Sequence, residues 1–234
     1  MQGHIPVGNR VSVLIPTLNE VKNIGNIISR LKHIGCSSIF VIDGHSSDGT
    51  VERATALGAK TVVQDGHGKG GALREAFEKV CFDGDVIIVM DADGSMSPEE
   101  IPRFAEAVRN GAHVAKGSRF LPLAGSEDLT PLRRFGNKLM VIALNLLFST
   151  NYTDLCYGFI AFRKDALTSL SPHLASDEFE IETEICIKAR ALGFRVDEVP
   201  SFERMRNYGK SNLNTFRDGF KIFSLLLREA LKTK

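Results

Sequence analysis

The chain has 234 residues, a length that suits one large domain or a domain with a small appendage. Apolar residues make up 43% and charged residues 24%, which excludes disordered, collagen-like and disulfide-rich miniprotein classes. The formal net charge of +1 gives no general reason to expect nucleic-acid binding, and we predict none.

Neither targeting signals nor cysteine spacing points to secretion. Residues 1–10 lack the apolar segment of a signal peptide, and no apolar run reaches the roughly 18 residues of a membrane span. The four cysteines stand far apart, which excludes the spacing of zinc and redox sites and is typical of reduced thiols. We expect a cytoplasmic protein, free in solution or peripheral at the cytoplasmic face of the membrane.

The first half of the chain alternates strand-like and helix-like segments. The strand-like runs are Val11–Ile15, Ile39–Ile42, Thr61–Val63, Val86–Met90 and Val114–Lys116. Such alternation predicts an α/β fold, with a parallel sheet and helices on both faces. Ligands of such sheets bind beyond the carboxyl ends of the strands, where four successive polar loops stand here.

The second half is less regular and ends in a long helix. In chain order we predict a polar loop over 122–131, a helix over 134–148, a strand over 157–163, a helix over 179–192, a strand over 195–199, a basic loop over 202–214 and a helix over 215–232. We expect one domain, with an N-terminal nucleotide half at 10–117, a C-terminal acceptor half at 118–214 and an amphipathic helix at 215–234.

Two carboxylates follow the most strand-like run of the chain. Asp91 and Asp93 are one residue apart, and a turn at the strand end can bring them together. Mg²⁺ and Mn²⁺ prefer oxygen ligands and often bind one or two carboxylates together with substrate phosphates. A helix-capping turn with two solvated acids is the alternative, but the position after a buried strand favours a metal site.

Two other loops that follow strands carry charged side chains, and the sequence around each of them allows two interpretations. Lys69 stands among four glycines, so it either neutralises a diphosphate or lies in a flexible surface turn. The spacing of a P-loop or of G-x-G-x-x-G after a first strand is absent. Asp43 can accept hydrogen bonds from a nucleobase or ribose, although a turn-forming Asp before Gly44 is the simpler interpretation.

Charged residues of the second half are further candidates. Arginine recognises phosphate in a bidentate manner, which makes the basic residues after 117 candidates for phosphate contacts. We interpret Arg133 and Arg206 as exposed loop charges. Of Glu180, Glu182 and Glu184, one can face the site as a base or acceptor anchor, and the others are ordinary acids of a helix surface.

Together these segments resemble glycosyltransferase family 2. The motifs are VSVLIPTLNE, VIDGHSSDGT, GHGKGGALREA, VIIVMDADGSMSPEEI, GSRF, DLCYGFIAFRK, FEIETEI and RNYGKSNLN, in this order over roughly residues 10–215. The similarity is greatest to the branch of dolichol-phosphate mannose synthases and polyprenyl-phosphate glucosyltransferases. The resemblance implies the GT-A fold, which is a Rossmann-like, mostly parallel sheet with helices on both faces.

The resemblance implies an inverting, metal-dependent hexosyltransferase. The expected donor is GDP-mannose or UDP-glucose, the acceptor a polyprenyl or dolichyl phosphate, and the cofactor Mg²⁺ or Mn²⁺. The same donor chemistry onto a soluble sugar or small-molecule hydroxyl is the alternative. A nucleotidyltransferase that forms sugar nucleotides and a non-catalytic nucleotide-sugar-binding protein are the competing classes. The Gly-rich signature that is usual in nucleotidyltransferases is missing after the first strand.

The resemblance also assigns roles to individual residues. Nucleotide contacts are implied for Pro16, Thr17, Asn19, Glu20, Asp43, Lys69, Gly70, Asp91 and Ala92. The D-x-D pair, Asp91 and Asp93, is implied to bind metal, with Ser95 where many members have a glutamine ligand. Phosphate or acceptor contacts are implied for Arg119, Arg134, Arg204 and Lys210. Catalytic roles are expected for Asp93, Arg119 and Glu182, the last as the base if the acceptor is a hydroxyl.

The C-terminal helix has two stripes at helical spacing. Its apolar stripe is Phe216, Phe220, Phe223 and Leu227, and its basic stripe is Arg217, Lys221, Arg228 and Lys232. A basic amphipathic helix can lie in a membrane interface, so peripheral membrane contact through 215–232 is one expectation. Packing against the domain or a second copy is the other.

Overall fold

Seven strands form the central sheet of the computed structural model, which describes residues 10–209 and 214–232. In chain order they are β1 (Val11–Thr17), β2 (Ser38–Asp43), β3 (Lys60–Val63), β4 (Val86–Val89), β5 (Val114–Ser118), β7 (Ile160–Arg163) and β8 (Val196–Pro200). A second sheet pairs two short strands, β6 (Gly125–Ser126) and β9 (Phe202–Glu203). The order across the large sheet is β3-β2-β1-β4-β7-β5-β8.

Eight α-helices accompany the strands in the described part of the chain. They are α1 (Val21–His33), α2 (Thr50–Ala56), α3 (Gly68–Lys79), α4 (Ile101–Arg109), α5 (Pro131–Phe148), α6 (Lys164–Leu170), α7 (Ile181–Ala191) and α8 (Thr215–Lys232). Across these described residues, none of the helices combines the length and apolar character that crossing a bilayer requires.

The large sheet is parallel except at one strand. β7 runs antiparallel to both of its neighbours, β4 and β5, while the other pairings are parallel. The predicted α/β class with a mostly parallel sheet is therefore confirmed. The direction of β7 was not readable from the sequence, because a buried apolar strand has the same pattern in either direction.

Helices cover both faces of the sheet, which explains the unbroken apolar run of β1. Val13 points into the layer that holds Ile24 of α1 and Phe104 of α4. The next residue, Leu14, packs on the opposite side with Leu73 of α3. Both β1 residues are fully buried, as expected for a strand with helices on either side.

The helix α8 packs against the rest of the protein through one side. Ile222, Leu225 and Leu226 are buried in a cluster with Leu144 of α5 and Ile187 of α7. The helix therefore packs against its own domain, but through residues other than those of the predicted stripe. The predicted apolar stripe lies elsewhere on the helix and is exposed.

Candidate active site

A cavity of about 710 Å³ opens at the carboxyl ends of β1 and β4 and extends to α5 and α8. Pro16 and Thr17 line it from the end of β1, and Asp91 and Asp93 from the end of β4. This is the edge of the sheet at which the sequence predicts ligand binding. The cavity has a charged end at these strands and an apolar end between the two helices.

The charged end is built around a buried lysine. The Nζ atom of Lys69 lies 2.6 Å from Oδ1 of Asp91 and 2.7 Å from Oε1 of Glu182. Burial alone would lower the pKa of Lys69, but the two carboxylates outweigh it and raise that pKa. Burial also raises the pKa of Asp91, against the opposing effect of Lys69. Lys69 is therefore a permanent cation that joins β4 to α7.

Gly158 makes this close approach possible. A Cβ atom at Gly158 would lie 2.6 Å from Oε1 of Glu182 and 2.7 Å from Nζ of Lys69. The same atom would come within 3.4 Å of Oδ2 of Asp91. Cβ contacts below 3.0 Å are repulsive, so a side chain at residue 158 would displace the ends of Lys69 and Glu182 from these positions.

The second carboxylate of the D-x-D pair has its own cation. Nη2 of Arg206 lies 3.1 Å from Oδ2 of Asp93 and 3.7 Å from Oδ2 of Asp128. The backbone N–H of Ser95 donates to Oδ1 of Asp93 at 2.9 Å. Ser95 itself is buried beneath this turn and lines the cavity. Asp93 is thus held in place from two sides.

Glu20 adds a third carboxyl to this corner. It lines the cavity, and its Oε2 accepts a hydrogen bond of 2.6 Å from Nδ2 of Asn23. Burial raises the pKa of Glu20 to about 7, the negative charge of Asp93 adds to this, and the Asn23 hydrogen bond opposes it. The carboxyl therefore titrates close to neutral pH.

The D-x-D carboxylates fit a divalent cation that shares its ligands with a substrate. Hard oxygen donors stand on Asp91 and Asp93, and Mg²⁺ or Mn²⁺ typically takes one or two carboxylates plus phosphate oxygens. Among the residues that the structure describes, no cluster of three or more Asp, Glu, His or Cys side chains is arranged as a metal cage. A divalent cation held by Asp91 and Asp93 would therefore take its other ligands from a phosphate-bearing molecule and water.

Arg119 lies at the cavity wall, with its guanidinium engaged by the protein. Asp154 accepts from Nε at 2.7 Å and from Nη2 at 2.9 Å, and Glu203 accepts from Nη1 at 3.1 Å. Burial would lower the pKa of Arg119, but Asp154 and Glu203 outweigh this and raise it. The side chain is only 4% exposed, so it joins the loops around the cavity more than it faces the cavity.

The structure brings most of the predicted site residues together. Those that line the cavity are Pro16, Thr17, Glu20, Lys69, Asp91, Ala92, Asp93, Ser95, Arg119 and Glu182. Of Glu180, which precedes α7, and Glu182 and Glu184 on α7, Glu182 is the one that lines the cavity. Glu184 instead accepts backbone hydrogen bonds from Ala175 and Ser176. Lys210 lies outside the described residues.

Two predicted nucleotide contacts shape the loops at the strand ends. The buried carboxylate of Asp43 accepts from Oγ1 of Thr17 at 2.9 Å and from the backbone N–H of Ser46 at 2.7 Å. Asn19 has a φ of 57° and accepts from the backbone N–H of Ser47. Neither residue lines the cavity. Their side chains join the loop after β1 to the loop after β2.

The glycine-rich segment is helical, not a loop. α3 already begins at Gly68, so Lys69 lies in its first turn. A Cβ atom at Gly70 would lie 2.7 Å from the carbonyl carbon of Asp177, and the backbone N–H of Gly71 donates to Asp177 O at 3.0 Å. Gly70 therefore serves close packing of α3 against the segment before α7, and it does not line the cavity.

Two predicted phosphate contacts point away from the cavity. Arg134 is exposed, with its guanidinium 5.4 Å from the ring centre of Phe120. Nε of Arg204 donates to Oγ of Ser97 at 3.1 Å and lies on a separate groove beside α4. Arg134 lies on a helix and Arg204 in an irregular loop, and the sequence does not show in which direction either side chain points.

The arginines that we interpreted as surface charges line the cavity instead. Arg206 and Arg133 are about one-fifth to one-quarter exposed, at 20% and 24% of the side chain. The interpretation was wrong for both. Arg206 is two residues after Arg204 in the same loop, and Arg133 directly precedes Arg134 on α5. Because neighbouring residues on a helix point in different directions and the loop has no regular pattern, the sequence did not show which arginine of each pair faces the cavity. Asp128, which lies near both, was also missed.

The sequence profile of Glycosyl transferase family 2 matches residues 12–170 of this chain. Glycosyltransferase AglJ of Haloferax volcanii is 33% identical over 227 residues, covering 97% of this chain and 74% of the relative. The undecaprenyl-phosphate mannosyltransferase of Micrococcus luteus is 30% identical over 216 residues, covering 88% of each chain. The dolichol-phosphate mannosyltransferase of Pyrococcus furiosus is 34% identical over 214 residues, which cover 87% of this chain and 59% of the relative.

The fold is similar to that of a solved glycosyltransferase. The glucosyl-3-phosphoglycerate synthase of Mycobacterium tuberculosis, solved in complex with Mn²⁺, UDP and glucosyl-3-phosphoglycerate, superposes with a TM-score of 0.76. The match covers 95% of this chain and 80% of that one, at 19% identity. This likeness supports the GT-A fold.

Proposed function

Because the chain belongs to glycosyl transferase family 2 and is a glycosyltransferase, we propose that it transfers mannose or glucose from a nucleoside-diphosphate sugar to a polyprenyl phosphate. The transfer inverts the anomeric carbon and depends on Mg²⁺ or Mn²⁺. The relatives named above as undecaprenyl-phosphate and dolichol-phosphate mannosyltransferases support this acceptor class.

The observation that carries the proposal is the two-ended character of the cavity. Its charged end holds Lys69, Asp91 and Asp93, while its other end is lined by large apolar side chains of α5 and α8 that alternate with polar and charged ones of the same helices. The apolar ones include Leu132, Phe135, Met140, Phe216 and Ile222. A sugar hydroxyl acceptor has no use for such an apolar end. A polyprenyl phosphate needs both, because an anionic head and a hydrocarbon chain are covalently joined.

At the charged end, the protein's own cations stabilise the departing diphosphate. In the reaction an acceptor oxygen bonds to the anomeric carbon, while the bond to the diphosphate breaks and its electron pair leaves with the diphosphate. Lys69 and Arg206 are fixed positive charges beside the D-x-D pair. Preorganised charges of this kind act where negative charge develops in the transition state. A divalent cation held by Asp91 and Asp93 would add Lewis-acid stabilisation of the same charge.

The acceptor determines whether a base is needed. A phosphate acceptor is already an anion, so no proton has to leave before it attacks. A hydroxyl acceptor requires a base, and the candidate is Glu182. Its Oε1 already accepts a hydrogen bond of 2.7 Å from Nζ of Lys69, so this carboxylate is engaged within the protein, which favours the phosphate acceptor. We assign Glu182 the task of orienting Lys69, and Arg119 that of positioning the surrounding loops.

A donor and acceptor screen tests the proposal. Purified full chain is incubated with GDP-mannose or UDP-glucose, Mn²⁺ or Mg²⁺, and either a short-chain polyprenyl phosphate or simple sugars, and products are read by mass spectrometry. We expect a glycosyl polyprenyl phosphate and its loss in Asp93→Ala. Product formed only on a sugar hydroxyl, and abolished by Glu182→Gln, would instead support the soluble-acceptor alternative. Full activity of Asp93→Ala would refute the metal role.

A further inference from the structure

A buried amide side chain stands at the cavity wall, beside the ends of β1 and β2. Gln64 directly follows β3, and its backbone N–H donates to the carbonyl oxygen of Asp43 at 2.9 Å. The residue lines the cavity and is only 3% exposed. A glutamine that is buried in this way needs hydrogen-bond partners for both ends of its amide.

The oxygen end of this amide has no partner in the part of the chain that the structure describes. No group there donates a hydrogen bond to Oε1 of Gln64, although this atom is shielded from bulk solvent. A second such atom on the cavity wall is Nδ2 of Asn137, but it is a donor and lies on α5. Among the described residues that line the cavity, Gln64 thus holds the one buried side-chain acceptor without a donor. Such atoms are rare in native proteins, and a ligand that donates a hydrogen bond would satisfy this one.

The surroundings of Gln64 suit a flat heterocyclic ring. Its Nε2 atom and the carbonyl oxygen of Thr17 lie 3.5 and 3.3 Å from the point that a Cβ atom at Gly44 would occupy. The Cβ atom of Leu18 lies 3.8 Å from the same point, so these groups are close together. Leu18 is 44% exposed and lines the cavity, which puts apolar surface next to the amide. Proteins recognise single nucleobases with this combination of an apolar contact to the ring and hydrogen bonds to its edge.

The neighbouring carboxylate is already engaged within the protein. Oδ1 of Asp43 accepts from the hydroxyls of Thr17 and Ser46, and Oδ2 accepts from the backbone N–H of Ser46. Asp43 is 1% exposed and does not line the cavity. The family resemblance implies a nucleotide contact for Asp43, but of the bonded pair Asp43 and Gln64 it is Gln64 that forms part of the cavity wall.

The chain leads directly from Gln64 to the charged end of the cavity. His67, Gly68 and Lys69 follow it along the chain, and all three line the cavity. Nζ of Lys69 is bonded to Asp91, beside which the diphosphate of the donor is expected. One nucleotide can therefore place its base at Gln64 and its diphosphate at Lys69.

From this arrangement we propose that Gln64 selects the nucleobase of the sugar-nucleotide donor. Its Oε1 atom accepts a hydrogen bond from the ring N–H of the base, which is N3–H in uracil and N1–H in guanine. The corresponding ring nitrogen of cytosine and of adenine is itself an acceptor, and two acceptors that face each other repel. The site therefore takes bases that have a ring N–H. This inference rests on the proposed function, because it concerns the donor of that same reaction.

Calorimetric titration of the full chain with nucleoside diphosphates and Mn²⁺ tests the selection. Two pairs are compared, UDP with CDP and GDP with ADP, because the members of each pair differ along the edge that carries the ring N–H. In the pair that binds more tightly, we expect the base with the ring N–H to be preferred about tenfold. Gln64→Met has a side chain of similar length without an acceptor oxygen and should reduce this preference to about threefold or less. Gln64→Asn withdraws the amide by one methylene group and should have the same effect.

A variant and a ligand serve as controls. Asn26→Leu removes an exposed amide of α1 outside the cavity and should keep the full preference. Inorganic pyrophosphate with Mn²⁺ has no base, so its affinity should be the same in the Gln64 variants and in the unchanged chain. Equal binding of the two members of the pair by the unchanged chain would overturn the proposal. A preference that persists in both Gln64 variants would also overturn it.

Product analysis by mass spectrometry separates failure of this inference from failure of the proposed function. A glycosyl polyprenyl phosphate made by the unchanged chain, with a base preference that does not depend on Gln64, would overturn the inference alone. Transfer only to a sugar hydroxyl, with a base preference that is lost in Gln64→Met, would support the inference and overturn the proposed acceptor.

Discussion

Single residues determine how the charged end of the cavity assembles, and Gly158 is one of them. It stands in the segment YGFIAFR, which the sequence predicts as a strand. A glycine inside a strand pattern often marks a close approach of other groups, and this signal was available but unused. The sequence identified the charged members of the cluster because carboxylates after buried strands are conspicuous. It could not supply their contact, because Lys69 and Glu182 are 113 residues apart in the chain.

Replacement of Gly158 by alanine should therefore reduce turnover strongly. The added methyl group would overlap Glu182 and Lys69, so these groups must move apart. We expect kcat to fall on the order of a hundredfold, since small misplacements in a site have effects of this size. Gly66→Ala is the control, because a Cβ atom there meets nothing within 4 Å. Steady-state kinetics with circular dichroism would check this, and unchanged kcat in Gly158→Ala would contradict it.

Glu20 should give the metal-free protein a specific pH dependence. Burial raises the pKa of this carboxyl to about 7 from an ordinary value of 4.5. Between these two pH values the folded state holds a proton that the unfolded state has released, so Glu20 reduces stability as pH rises through this window. Glu20→Gln should therefore stabilise the protein relative to the unchanged chain increasingly from pH 5 to about pH 7, and the difference should then level off. Thermal unfolding in EDTA measures this, and a difference that does not grow with pH would refute it.

At the scale of elements, the strands and helices were largely predictable, whereas their ends and the loops were not. The continuous apolar run VIIVM predicts a buried strand, and β4 lies there. The start of α3 was missed because glycines indicate a loop, yet here they let α3 pack closely on residues 176–178. The loop after β9 has no periodicity, so which arginine turns toward the cavity was not readable.

That loop offers a paired test of the geometry. Arg206 reaches Asp93 at 3.1 Å, whereas Arg204, two residues earlier, bonds to Ser97 on another surface. Arg206→Ala should lower kcat/KM for the donor by about tenfold to a hundredfold, because a fixed cation beside the diphosphate is lost. Arg204→Ala should change it less than threefold. Measurement of kcat/KM for the donor in both variants tests this prediction. A larger loss in Arg204→Ala than in Arg206→Ala would show that the loop adopts another arrangement in catalysis.

At the scale of the whole molecule, the sheet brings the two halves of the chain to one cavity. Residues of β1 and β4 come from the first half, and those of α5, α7 and α8 from the second. The fold class was predictable because alternating strands and helices leave few topologies. The position of the antiparallel strand β7 between β4 and β5 was not predictable, although this strand sets the spacing between the two halves.

A ligand that spans this cavity should stabilise the whole fold. UDP or GDP with Mn²⁺, at about a hundred times its dissociation constant, should add about 2.7 kcal/mol to the free energy of unfolding. For a chain of this size that corresponds to a rise of about 5 to 10 °C in Tm. Asp93→Ala should lose most of the rise, whereas Lys32→Glu on α1 should keep it. Differential scanning fluorimetry reads both, and an equal rise in all three proteins would contradict a role of Asp93 in binding.

The buried guanidinium of Arg119 has a consequence for motion at the rim. The β6 and β9 strands contain only two residues each, too few to persist without outside support. Glu203 of β9 accepts from Arg119 and from the hydroxyl of Ser126 in β6, so one ionic anchor secures both strands. Their amides should exchange with deuterium as a single cooperative unit, and Arg119→Lys should accelerate exchange at 125–127 and 202–204 together. An exposed counterpart, Arg195→Lys beside Asp197, should leave that rate unaltered.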